Sequence, residues 1–75
     1  MTTEQRLTNI SILSRAIGKT STMQHNAFNN SRFICEWAEA IVILAVMSDK
    51  FLDDNQDTIK EIVKRATEFT LQKTQ

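Results

Sequence analysis

Fifteen consecutive residues, Phe33 to Met47, carry 13 apolar side chains, interrupted only by Glu36 and Glu39. This block constrains the chain more than any other feature. It is too short and too charged for a membrane span, which needs about 20 apolar residues. A helix that is apolar on nearly every side must be covered on nearly every side. The chain has 75 residues in all with which to do so. It holds no Pro and one Gly, so long helices are the default. No stretch sustains the alternation of a half-buried strand.

The spacing predicts three helices, over about 3–17, 22–48 and 58–73. In the first, Leu7, Ile10, Leu13 and Ile17 recur every three or four residues and line one face. Thr2 and Gln5 have capping-box spacing, and Gly18 stands where a helix end favours a left-handed residue. The second helix opens near Ser21, with Gln24 three residues on, and is expected to run unbroken through Asn29-Asn30-Ser31. A linker from Ser48 to Asp57 carries four aspartates, and its Phe51 and Leu52 are expected to fold back onto the core. In the third helix, Ile59, Ile62, Val63, Ala66 and Phe69 or Thr70 form the apolar stripe. Asp57 suits its N-cap, and Glu61 with Arg65 and Lys64 with Glu68 give i,i+4 charge pairs.

The expected fold is a single all-α domain, residues 1–75: a small bundle of three helices with a long central one. A domain of this size buries only about 60% of the surface its unfolded chain exposes. Such chains usually need a disulfide, a metal or a partner subunit. One Cys cannot close an intrachain disulfide, and no metal-ligand spacing is present. Homo-oligomerisation, as a dimer or higher assembly, therefore completes the expected fold. The seam assigned to it is the stripe Phe33, Trp37, Ile41 and Leu44, which also suits packing within one chain.

Nine basic and nine acidic residues cancel, and the pI lies near 6.5. That balance argues against a general polyanion binder. The zero is nevertheless uneven. Residues 1–35 hold four basic side chains against Glu4 alone, a balance of +3, and residues 36–75 hold five against eight acidic ones, −3.

Several local patterns approach known chemistry and stop short. Gly18-Lys19-Thr20-Ser21 resembles the tail of a phosphate-binding P-loop, but that motif needs a Gly where Leu13 stands. What remains is a candidate anion site at the start of the second helix, formed by Arg15, Lys19, Thr20, Ser21 and Thr22, against an ordinary capped turn. Residues 10–28 resemble a helix-turn-helix in part, with Gly18 in the turn. Lys19 and Gln24-His25-Asn26 then stand where inward apolar residues are needed. Asp53, Asn55 and Asp57 begin like a calcium loop, yet Thr58 and Lys64 occupy its Gly and Glu positions. His25 and Cys35 are ten residues apart, too few and too distant for a zinc site. Cys35 is expected in the core. No Ser–His–acid or Cys–His set is supported.

The amide-rich run Gln24, His25, Asn26, Asn29, Asn30 and Arg32 is unusual for a helix, because Asn is a poor helix former. It is the candidate partner-binding face. The sequence thus reads as a non-enzymatic interaction protein, an inhibitor, adaptor or regulator, without cofactor or metal. Its expected partners are a second copy of itself and another protein. The alternatives are a helix-turn-helix-like DNA-binding regulator, or a phosphate- or nucleotide-binding protein using the Gly18–Thr22 turn. No signal-peptide core follows the N-terminal residues, so a cytoplasmic, non-membrane location is expected. In general make-up the chain is similar to small helical proteins of bacteria and their phages.

Overall fold

The computed structural model describes the backbone of residues 1–20 and 27–71, with the side chains of 27–31 left aside. The described residues form four helices: α1 (Thr3–Thr20), α2 (Ala27–Val46), α3 (Asp49–Asp54) and α4 (Gln56–Leu71). The fold is all-α, with extents of 40 × 19 × 17 Å.

α1 opens on the expected capping box. The Thr2 amide donates to Gln5 Oε1 at 2.9 Å, and the Gln5 amide donates to Thr2 Oγ1 at 3.1 Å. The helix then passes through Gly18 and ends at Thr20, three residues beyond the predicted stop. Gly18 has no positive φ, so it is an ordinary helical residue, and the turn of a helix-turn-helix does not fall on it. A helical Gly costs about 1 kcal/mol relative to Ala. Contacts just beyond it hold the helix end. Thr20 is buried, with its hydroxyl donating to the Ile17 carbonyl at 2.6 Å, and Lys19 docks on α4.

The buried face of α1 is Leu13, Ala16 and Thr20, with Ile10 and Ile17 beside it. Leu7, assigned to this face by spacing, is instead exposed. Its neighbour Arg6 turns inward in its place and binds the end of α2.

The acidic linker is itself largely helical. Ser48 caps α3, its Oγ accepting from the Phe51 amide at 3.1 Å, and Asp49 sits in the first turn, where a carboxylate complements the helix dipole. Leu52 is fully buried and Phe51 packs against the core, as expected for both. Asn55 alone separates α3 from α4. Its amide and its Nδ2 both donate to the Phe51 carbonyl, at 3.1 and 2.8 Å, and its own carbonyl accepts from the Ile59 amide at 3.1 Å. α4 therefore starts at Gln56, and Asp57 lies inside its first turn rather than at the cap.

The core comprises Leu13, Ala16, Trp37, Ala40, Leu44, Leu52, Ile59 and Ala66. Each long helix contributes a buried Ala, which lets the backbones approach, while Trp37 and the leucines fill the space between them. α1 packs on both α2 and α4, and α2 meets α4 less extensively. Among the described residues, one long side of α2 is consequently left without a neighbour.

Candidate functional site

That uncovered side is the most distinctive surface of the molecule. On α2, Trp37, Ala40 and Leu44 point into the core, and Arg32, Cys35, Ala38, Glu39, Val42, Ala45 and Val46 are exposed on the opposite side. Val42 is 58% and Val46 70% exposed. The helical period explains the division. Positions 37, 40 and 44 share one face, and positions 35, 39, 42 and 46 share the other. Because both faces are apolar, the sequence reads as a helix without a polar side.

Of the expected oligomer stripe, Trp37 and Leu44 are buried within the single chain. Ile41 is partly buried against the same core, and Phe33 is at its edge, 41% exposed. Phe33 stacks on Trp37 with ring centroids 5.9 Å apart, and the tilted Phe69 ring lies 5.2 Å from Trp37. The Trp37 Nε1–H is buried without a hydrogen-bond partner among the described residues. Cys35, expected in the core, is exposed on the outward face.

The candidate anion residues are dispersed. Arg15 is exposed on the outer side of α1. Lys19 Nζ donates to the Phe69 and Thr70 carbonyls at 2.8 and 3.1 Å, and lies 5.4 Å from the Phe69 ring centroid. It thus satisfies open carbonyls at the end of α4, where a cation is favoured. Thr20 is occupied with Ile17 as described, and Ser21 and Thr22 lie outside the described residues.

Of the amide-rich run, Arg32 is exposed at the start of the outward face. Gln24, His25 and Asn26 lie outside the described residues, and so do the side chains of Asn29 and Asn30. The backbone of 29 and 30 is helical within α2.

Arg6, which spacing did not single out, joins three elements. Its Nη1 donates to the Leu44 and Met47 carbonyls at 3.2 and 2.6 Å, and its Nη2 to Asp49 Oδ1 at 2.6 Å. This guanidinium holds the Asp49 carboxyl below its ordinary value, chiefly by that hydrogen bond and then by its charge. A separate open groove of 680 Å³ runs between α1 and α4, bordered by Gln5, Asn9, Gln56, Ile59 and Lys60.

Among the described residues, no group of three or more His, Cys, Asp or Glu is placed to hold a metal ion. No helix among them is long and apolar enough to cross a membrane. Comparison with protein-family models, with curated proteins and with solved structures gives no match.

Proposed function

We propose that this chain is a non-enzymatic interaction protein, acting as an inhibitor, adaptor or regulator, whose working unit is two or more copies joined through the outward face of α2. The observation that carries this reading is the exposure of Val42 and Val46 on a helical face whose only charges are Arg32 and Glu39. A chain of this length has little stability to spare. Covering a valine that is half exposed or more contributes about 1 kcal/mol, and an assembly covers such residues in every copy. A second macromolecule would then be held by surfaces the assembly leaves open.

Small-angle X-ray scattering at about 100 μM tests the assembly. One chain has a mass of 8.6 kDa and a radius of gyration of 12.7 Å over its Cα atoms. A scattering mass of at least twice the chain mass is expected. A mass of one chain overturns the reading.

A further inference from the structure

We infer that the outward face of α2 is the seam of an antiparallel two-fold dimer in which Arg32 of each copy pairs with Glu39 of the other. This rests on the self-association proposed above and adds its geometry.

Arg32, Cys35, Glu39, Val42 and Val46 follow one another at spacings of three, four, three and four. That is the spacing of the buried seam in a two-stranded coiled coil. All five residues are exposed, and they lie on the side of α2 away from Trp37 and Leu44. Ala38 and Ala45 stand beside the seam, and their small side chains let a second helix come close.

The charges select the direction. In a parallel pair, equal positions face each other. Arg32 would then meet Arg32, and Glu39 would meet Glu39, with like charges held together on both layers. In an antiparallel pair whose axis passes beside Trp37, Cys35 faces Glu39 of the second copy and Arg32 faces its Val42. Arg32 then stands one layer, about 5 Å along the helix, from the opposite Glu39, within reach of its long side chain. The symmetry forms this pair twice. Neither Arg32 nor Glu39 makes an ion pair among the described residues, so both charges are available.

The test compares the wild type with Arg32→Glu, Glu39→Arg and the double reversal, using sedimentation equilibrium at low salt. The three substitutions fall on exposed positions, and circular dichroism checks that all four proteins are equally helical. Each single reversal is expected to raise the dimer dissociation constant about tenfold, since two partly exposed pairs are lost. The double reversal restores the opposite-charge pairs and should return the constant to near the wild-type value. A wild-type dimer that is indifferent to the single reversals, or that the double reversal weakens further, removes the antiparallel seam and leaves the self-association standing. A wild type that remains monomeric at about 100 μM, or that associates only with a foreign helix or a lipid surface, removes both.

Discussion

Arg6 Nη2 donates to Asp49 Oδ1 at 2.6 Å, which ties the first turn of α1 to the first turn of α3. The other arm of the same guanidinium closes two carbonyls at the end of α2. One side chain thereby fixes the corner at which the apolar helix stops and the acidic segment begins. Replacing Arg6 with Ala leaves the Leu44 and Met47 carbonyls to water and loosens that corner. A loss of about 1–2 kcal/mol is expected, read as a lower urea midpoint. An unchanged midpoint would show that the corner holds without Arg6.

The same contact sets a pH dependence. Asp49 has a folded pKa below its unfolded one, because Arg6 donates to and attracts the ionised form. Its contribution to stability is therefore complete above the ordinary carboxylate range and disappears as the pH falls through the lowered pKa. Asp49→Asn should flatten the acid limb of a stability–pH curve measured from pH 6 to pH 2, relative to wild type. The change will be small, because the carboxylate faces water. Parallel curves for the two proteins would contradict the assignment.

Gly18 distinguishes two accounts of the end of α1. In a left-handed cap, Ala would be strained and destabilising. In the helix described here, a Cβ at Gly18 meets nothing within 4 Å. Gly18→Ala should then stabilise the protein by about 0.5–1 kcal/mol. For a domain of this size that raises the melting temperature by roughly 2–8 °C. A lower melting temperature would return Gly18 to a cap.

Much of the fold is written locally in the sequence. The Thr2–Gln5 box, the inward Leu13, the returning Leu52 and the α4 stripe through Ile59 and Ala66 all follow from spacing and capping chemistry. What escaped that reading depends on three-dimensional neighbours. Leu7 and Arg6 are adjacent, and only the position of the α2 end decides which of them turns inward. Beyond the helical Gly18, Lys19 finds its partners on α4 and Thr20 is buried, which no propensity reveals. The linker folds as α3 because Ser48 caps it and Leu52 anchors it, although its four aspartates read as a solvated loop. On α2 a three-four spacing runs from Arg32 to Val46 as well as along the inward stripe ending at Leu44, and with apolar residues on both, spacing alone does not tell which side the chain buries.

Val42 separates assembly from folding. It is exposed in the single chain, and Lys is at least as good a helix former as Val, so Val42→Lys should change the stability of one chain by no more than about 0.5 kcal/mol. Leu44, two residues on and on the opposite side of the helix, is fully buried and behaves differently. Leu44→Ala should cost about 2–5 kcal/mol in any assembly state. The decisive measurement is sedimentation equilibrium of the wild type and Val42→Lys side by side at micromolar concentration, since Lys at this position would face Arg32 of the second copy with a like charge. An associated wild type and a folded, helical Val42→Lys monomer of 8.6 kDa are expected. A monomeric wild type, or a Val42→Lys protein that associates as tightly as the wild type, would contradict the proposed seam.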